Sequence, residues 1–135
     1  MSDNSDASSG PIRVLVIDDE KGLRDMLSHT LRRLTFEVET AEDGERGLAA
    51  ARPGGFDVVV CDMMMPGMNG LEVLEALRRE KIPVEAVMVT GYPTPETAAR
   101  AAELGAFDYL AKPYDLMALA AVLEKAARRK RARGL

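Results

Sequence analysis

Five polar side chains of this sequence stand at the ends of short apolar runs. They are Asp18, Asp19, Asp62, Thr90 and Lys112. Clustered carboxylates repel one another unless a cation lies between them, and a set of hard oxygen donors suits Mg²⁺, which Mn²⁺ could replace. A metal ion with few protein ligands leaves a position for a phosphoryl oxygen, and an ammonium and a hydroxyl group could hold the other oxygens. The set predicts phosphoryl chemistry in which an aspartate forms an acyl phosphate.

The segments that must position these side chains alternate between short apolar runs and longer stretches with helical spacing. The apolar runs are residues 12–17, 36–41, 58–61, 84–89 and 107–110. In the first longer stretch, apolar side chains recur at helical intervals, at Leu23, Met26, Leu27, Leu31 and Leu34. Residues 71–77 and 116–123 repeat this spacing, and the alanine-rich stretches 43–51 and 95–104 complete five helices. The pattern predicts an α/β fold, a doubly wound (βα)5 three-layer sandwich with a parallel sheet.

The ends of the predicted strands bring the five polar side chains together. In an open parallel sheet, ligands bind beyond the carboxyl ends of the strands. Asp18 and Asp19 end the first strand, Asp62 ends the third, Thr90 ends the fourth, and Lys112 follows the fifth. We therefore expect three carboxylates, one hydroxyl and one ammonium group to converge at one edge of the sheet.

The composition is that of an ordinary globular chain. Its 135 residues are 47% hydrophobic and 30% charged, which indicates one domain rather than a disordered or fibrous protein. The longest apolar run, residues 116–123, is too short to cross a bilayer, so no membrane partner is expected. The first ten residues lack a secretory signal pattern, and a single cysteine, Cys61, cannot form an internal disulfide. These features predict a cytoplasmic location.

Charge is distributed unevenly along the chain. Six of the 18 basic residues fall in the last eleven positions, where no acid occurs, although the formal net charge is -4. The acidic remainder would be repelled by the phosphate backbone of DNA, so no direct DNA binding by the domain is expected. We predict a disordered polar tail over residues 1–10, one domain over 11–128, and a basic tail or truncated linker over 129–135. The basic end could be a solvated helix end that complements the helix dipole, or a contact for an acidic partner or nucleic acid.

Four segments together resemble the receiver domain of two-component response regulators. They are VLVIDDE (14–20), VVVCDMMMPGMNG (58–70), VMVTG (87–91) and GAFDYLAKPYDL (105–116). The resemblance covers about residues 11–128 and implies a flavodoxin-like sheet with the strand order 2-1-3-4-5. It also implies phosphorelay signal transduction, in which the domain is a phosphoacceptor and catalyses only its own Mg²⁺-dependent phosphotransfer and dephosphorylation.

The resemblance assigns roles to individual residues. It makes Asp62 the phosphoacceptor and a metal ligand, and Asp19 a direct Mg²⁺ ligand. Asp18 would bind the metal directly or through water, and the backbone carbonyl of Met64 would be a further ligand. Lys112 would pair first with Asp62 and then with the phosphoryl group.

The resemblance also implies a switch. Thr90 would move toward the phosphoryl group, and Tyr109 would turn into the vacated space, which alters the surface of the fourth helix, fifth strand and fifth helix. The Lys112-Pro113 bond would be cis, which X-Pro bonds permit. Bulky side chains at Met64 and Tyr92 suggest a long-lived phosphorylated state, with Tyr92 shielding the acyl phosphate from water.

The implied partners are a sensor histidine kinase or a histidine phosphotransfer protein, and a downstream protein that the sequence does not identify. Phosphorylation could also pair two copies of the chain.

Several alternatives stay open. Asp18 and Asp19 could simply cap a helix, and Tyr109 could be a strand aromatic that only packs. An aspartate phosphatase of the haloacid dehalogenase type also uses Mg²⁺ and an acyl phosphate, but it expects a second aspartate where Glu20 stands. A third hypothesis is that the chain is an interaction module that works without phosphorylation.

Overall fold

The computed structural model describes residues 10–133, which form five strands and five helices in strict alternation. The strands are β1 Arg13–Ile17, β2 Glu37–Ala41, β3 Val58–Asp62, β4 Glu85–Thr90 and β5 Asp108–Ala111. The helices are α1 Lys21–Arg33, α2 Gly44–Ala51, α3 Gly70–Arg79, α4 Pro95–Glu103 and α5 Leu116–Ala132. The polar tail predicted over residues 1–10 lies, apart from Gly10, outside the described residues.

The five strands form one parallel sheet with the order β2-β1-β3-β4-β5, which confirms the predicted doubly wound fold. One face of the sheet carries α1 and α5, whose Leu27 and Leu123 pack against alternate strand residues such as Val14. The other face carries α2, α3 and α4, which pack against the remaining strand residues, among them Leu15. The sheet is therefore the middle of three layers.

Burial along the strands explains their sequences. The central strands β3 and β4 are buried at every position, which requires the continuous apolar runs seen in the sequence. Strand β2 lies at the edge and exposes Glu37 and Glu39 on either side of the buried Val38.

Local capping sets where the helices near the site begin. Asn69 caps α3 and forms a reciprocal capping box with Glu72. Thr94 caps α4 in the same way with Thr97, and Pro95 occupies the first turn. Among the residues of α4, only Ala101 is buried, so this helix packs against the sheet through little apolar surface.

The basic end of the chain is largely helical. Helix α5 continues past the predicted domain boundary at residue 128, through Ala132, and includes most of the basic run, for which the sequence had left a helix end, a tail and a linker open. Its basic side chains pair with buried acids at the amino ends of two strands: Arg131 contacts Asp57, and Arg133 contacts Glu85. The predicted tail or linker over 129–135 is thus helical as far as residue 132, and residues 134–135 lie outside the described part.

Across residues 10–133, none of the helices combines the length and the apolar character needed to cross a membrane.

Candidate functional site

Three carboxylates meet where the central strands end. Asp18 and Asp19 follow β1, and Asp62 is the last residue of β3, its direct neighbour in the sheet. One carboxylate oxygen from each residue lies within 4.8 Å of the others. Asp18 and Asp62 are buried and Asp19 is exposed, so the cluster opens to solvent on one side. The structure therefore brings together the three acids that the strand ends predicted.

Lys112 joins the two buried acids. Its Nζ lies 3.2 Å from Oδ2 of Asp18 and 3.4 Å from Oδ1 of Asp62. The backbone N–H of Lys112 donates to the carbonyl of Thr90 at 2.7 Å, which fixes the residue just beyond the β4–β5 ladder, and the Lys112-Pro113 peptide bond is cis. Burial lowers the pKa of Lys112, but the two neighbouring carboxylates outweigh it and raise the pKa, so the amine is an ammonium ion.

The charge balance at Asp62 favours an additional cation. Burial raises the pKa of Asp62, and Asp18 adds to the rise, while Lys112 and the Met64 N–H oppose it; the pKa is raised overall. Within the cluster, a single ammonium group faces three carboxylates, which leaves an excess of negative charge. The donors are all oxygen atoms, with an exposed member through which an ion could enter, and this set fits a hard divalent cation such as Mg²⁺.

The alternative in which Asp18 and Asp19 only cap α1 does not fit the structure. The N-cap residue of α1 is Glu20, and it makes no side-chain capping hydrogen bond. Oδ1 of Asp18 instead accepts from the backbone N–H of Glu20 at 2.9 Å, and its Oδ2 faces Lys112. Asp18 is therefore oriented toward the cluster.

Met64 lies two residues beyond Asp62 in the loop that leads to α3. Its backbone N–H is 3.5 Å from Oδ1 of Asp62, and its side chain is 58% exposed. Its neighbours Met63 and Met65 are buried and pack in the core. The role of the Met64 carbonyl as a metal ligand stays a prediction.

Thr90 and Tyr109 occupy neighbouring strands but have different partners. Thr90 is buried, and its Oγ1 accepts from the backbone N–H of Tyr92 at 3.0 Å. Tyr109 is half-buried against the core, and its hydroxyl lies 2.6 Å from Oγ1 of Thr97 on α4. A cavity of about 290 Å³ is lined by Thr90, Tyr92 and Thr97, together with the loop around Met64.

The sequence patterns do not single out three further residues of this site. Thr97 is the partner of Tyr109, and only its capping spacing from Thr94 could have drawn attention to it. Arg24 donates to the backbone carbonyl of Asp18 at 2.7 Å and so supports the turn that carries the acids. Tyr114 has a buried hydroxyl with no hydrogen-bond partner within the described range 10–133, and burial raises its pKa.

Known proteins share the sequence pattern of this chain. The family profile described as the response regulator receiver domain matches residues 14–124. The probable transcriptional regulatory protein TcrX of Mycobacterium tuberculosis is 39% identical over 110 residues, covering 82% of this chain and 47% of the relative. The regulatory protein AtoC of Escherichia coli is 36% identical over 114 residues, covering 84% of this chain and 25% of the relative. This chain thus spans half or less of the length of these two relatives.

Solved structures show the same fold. The chemotaxis protein CheY4 of Vibrio cholerae superposes with a TM-score of 0.80 at 35% identity, covering 87% of this chain and 99% of that one. A response regulator receiver domain protein from Clostridium thermocellum superposes with a TM-score of 0.84 at 30% identity, covering 90% of this chain and 98% of that one. The sequence match, the strand order and these neighbours agree, and the chain belongs to the response regulator receiver domain family of two-component systems.

Proposed function

We propose that this protein is a phosphorylation switch in which Asp62 accepts a phosphoryl group from a phosphohistidine in the presence of Mg²⁺. The observation that carries the proposal is the contact of Lys112 with both Asp18 and Asp62 inside a cluster of three carboxylates. A cluster of this kind combines a nucleophilic carboxylate, a metal-binding oxygen set and a fixed positive charge.

The transfer step is an in-line displacement at phosphorus. An oxygen of Asp62 attacks, the new O–P bond forms as the P–N bond of the phosphohistidine breaks, and the electron pair returns to the imidazole nitrogen, which takes up a proton. The ammonium group of Lys112 then pairs with a phosphoryl oxygen instead of with the Asp62 carboxylate. Hydrolysis of the acyl phosphate by water releases inorganic phosphate and restores Asp62.

The residues that would hold the metal are Asp18, Asp19, Asp62 and the backbone carbonyl of Met64. Mg²⁺, or Mn²⁺ in its place, would supply positive charge that offsets the carboxylates and the phosphoryl oxygens. Arg24 supports this set from outside, because its hydrogen bond to the Asp18 carbonyl orients the turn between β1 and α1.

Phosphorylation would be sensed by Thr90. Its hydroxyl proton is not used in the hydrogen bond that it accepts from Tyr92, so it is free to be donated to a phosphoryl oxygen. Movement of Thr90 toward Asp62 would let Tyr109 turn and alter the surface formed by α4, β5 and α5. A partner that binds this surface would then distinguish the two states.

The phosphodonor would be a sensor histidine kinase or a histidine phosphotransfer protein, and the switched surface would act on a downstream protein or on a second copy of this chain. The only catalysis would be phosphotransfer to Asp62 and hydrolysis of the resulting acyl phosphate by water. Names of relatives such as the DNA-binding transcriptional regulator NtrC of Azospirillum brasilense suggest transcriptional output, but this domain is acidic and would not contact DNA itself. A cytoplasmic location fits the single, buried and unpaired cysteine.

Intact-mass analysis tests the proposal. Wild type incubated with Mg²⁺ and acetyl phosphate should gain the mass of one phosphoryl group, and chelation of Mg²⁺ should abolish the gain. Asp62→Ala should gain nothing. Asp25→Ala, which removes an exposed acid of α1, is the matched control and should behave as wild type. Modification of Asp62→Ala to the wild-type extent would overturn the proposal.

The same variants distinguish the alternatives. A haloacid-dehalogenase-type phosphatase would turn over a generic phosphate ester, lose that activity in Asp18→Ala, and keep it in Asp62→Ala. An interaction module independent of phosphorylation would show no change on addition of Mg²⁺ and beryllofluoride, which mimics a phosphoryl group on a carboxylate.

A further inference from the structure

The hydroxyl of Tyr109 makes a short hydrogen bond to α4. Its oxygen lies 2.6 Å from Oγ1 of Thr97, at the short end of the range for hydroxyl pairs. Tyr109 belongs to β5, and Thr97 lies in the first turn of α4. Both residues are half-buried, so water competes with this bond only in part. The contact therefore ties the switch tyrosine to the start of the helix beside it.

The Thr97 hydroxyl is shared between this contact and the helix cap. Its Oγ1 lies 3.1 Å from the carbonyl oxygen of Thr94, 2.9 Å from Oγ1 of Thr94, and 3.4 Å from the Thr94 backbone nitrogen. A hydroxyl group has one proton to donate and two lone pairs. When Thr97 donates its proton to the Thr94 carbonyl, Tyr109 donates to Thr97, and the tyrosine completes the polar network that caps α4.

The structure around α4 makes this hydrogen bond important. Ala101 is the one buried residue of α4, so apolar packing holds this helix weakly. The cavity of about 290 Å³ next to Thr90 is also lined by Thr97. Thr97 therefore shares a cavity with Thr90, which would sense the phosphoryl group, and contacts Tyr109, which would respond to it.

We propose that Thr97 is a positioning residue that holds Tyr109 against the start of α4 in the unphosphorylated protein and thereby sets how readily the switch turns on. This inference rests on the proposed function. For Tyr109 to turn toward Thr90, its hydrogen bond to Thr97 must break. Removal of the Thr97 hydroxyl destabilises the unphosphorylated state and leaves the phosphorylated state unaffected. The equilibrium between the two states therefore shifts toward the activated one.

Beryllofluoride titration in the presence of Mg²⁺, followed by NMR of backbone amides in α4 and β5, tests the inference. Thr97→Val preserves the shape of the side chain and should bind beryllofluoride about two- to tenfold more tightly than wild type, the range that corresponds to one ordinary hydrogen bond. Thr97→Ser keeps the hydroxyl and should bind as wild type does. Tyr109→Phe removes the same bond from the other side and should tighten binding by a similar factor.

The double variant separates the tyrosine contact from the helix cap. In the Tyr109→Phe background, Thr97→Val should have no further effect on affinity, because the partner hydroxyl is already absent. If Thr97→Val changes the affinity by the same factor in both backgrounds, Thr97 acts only through the cap and the inference is wrong. Unchanged affinity in Tyr109→Phe would also overturn it. Failure of wild type to bind beryllofluoride at all would instead overturn the proposed function, and the inference with it.

Discussion

The guanidinium group of Arg131 lies 2.9 Å from Oδ2 and 3.1 Å from Oδ1 of the buried Asp57. Asp57 directly precedes β3, so it stands at the opposite end of the strand that carries Asp62. The backbone N–H of Arg13 donates to the same carboxylate at 3.0 Å, and Lys130 lies 3.6 Å away. These contacts hold the last turn of α5 against the amino ends of the strands, at the opposite end of the sheet from the candidate site.

This pairing predicts a specific loss of stability. Asp57→Asn keeps an oxygen that can accept from Arg13 but removes the charge that faces Arg131. Because the Arg131 side chain is 22% exposed, water can partly solvate the unpaired cation, and we expect the free energy of unfolding to fall by about 2 kcal/mol. Chemical denaturation measures it. The matched control is Glu80→Gln, which breaks the exposed pair with Arg52 and should lower stability less. Equal losses in the two variants would contradict the assignment.

The same carboxylate makes part of the stability dependent on pH. Burial raises the pKa of Asp57, but hydrogen bonds from Arg131 and Arg13, with the nearby Lys130, outweigh it, so the pKa lies below its usual value. The contribution of the pair is therefore fully present above the unfolded-state pKa of about 3.9 and is lost as the pH falls through the folded-state value. The stability difference between wild type and Asp57→Asn should stay constant from neutral pH to about 5 and shrink below about 4. A difference that grows on acidification would contradict this.

Lys112 should have opposite effects on metal binding and on phosphotransfer. Its ammonium group lies against two of the three carboxylates and competes there with a metal ion. Lys112→Ala should bind Mg²⁺ roughly tenfold more tightly, on the scale of one ion–ion interaction at a partly solvated site. Transfer from acetyl phosphate should nevertheless slow by about two orders of magnitude, because a charge aimed at the phosphoryl oxygens is lost. Mg²⁺ titration and intact-mass time courses measure the two effects.

The control for this pair of measurements is Lys125→Ala on the exposed face of α5, which should change neither quantity. Weaker Mg²⁺ binding in Lys112→Ala would show that the lysine organises the acids rather than competing with the metal.

Tyr92 is predicted to lengthen the life of the phosphorylated form. Its side chain is 75% exposed at the rim of the cavity that it shares with Thr90 and Met64, so its removal should leave stability unchanged. Tyr92→Ala should speed dephosphorylation severalfold, because water then reaches the acyl phosphate more easily. Tyr92→Phe keeps the ring and should retain the slow rate. The loss of phosphoryl mass after removal of the phosphodonor gives both rates, and an unchanged rate in Tyr92→Ala would refute the shielding role.

The sequence was sufficient for the parallel α/β architecture and for the acids because both follow from short-range patterns, whereas the strand order rested on the family resemblance. Asp18, Asp62 and Lys112 stand at strand ends, and parallel topology alone brings those ends together. The contact of Thr97 with Tyr109 could not be derived this way, since it depends on how closely α4 approaches β5. The pairing of Arg131 with Asp57 was missed for a related reason: the basic run looked solvated, and nothing local in the sequence shows that an acid 74 positions away is buried beneath it.

Gly70 gives the most direct link between the packing of the fold and the candidate phosphoacceptor. It is the first residue of α3, and its backbone N–H donates to the carbonyl of Met63 at 3.0 Å. A Cβ atom at this position would lie 2.7 Å from Cα of Met63 and closer still to the carbonyl oxygen of Asp62. These are backbone atoms that cannot rotate away, so Gly70→Ala must displace either the start of α3 or the end of β3.

We therefore expect Gly70→Ala to lower the free energy of unfolding by about 2 kcal/mol, the usual scale for overpacking, and to slow phosphorylation of Asp62 as well. Gly22→Ala in the first turn of α1 is the matched control, because nothing lies within 4 Å of its added Cβ. That variant should keep wild-type phosphorylation and be equally or slightly more stable, since alanine is the better helix former. If Gly70→Ala were phosphorylated at the wild-type rate despite its lower stability, the end of β3 would tolerate displacement, and the acceptor would not depend on the close approach of α3.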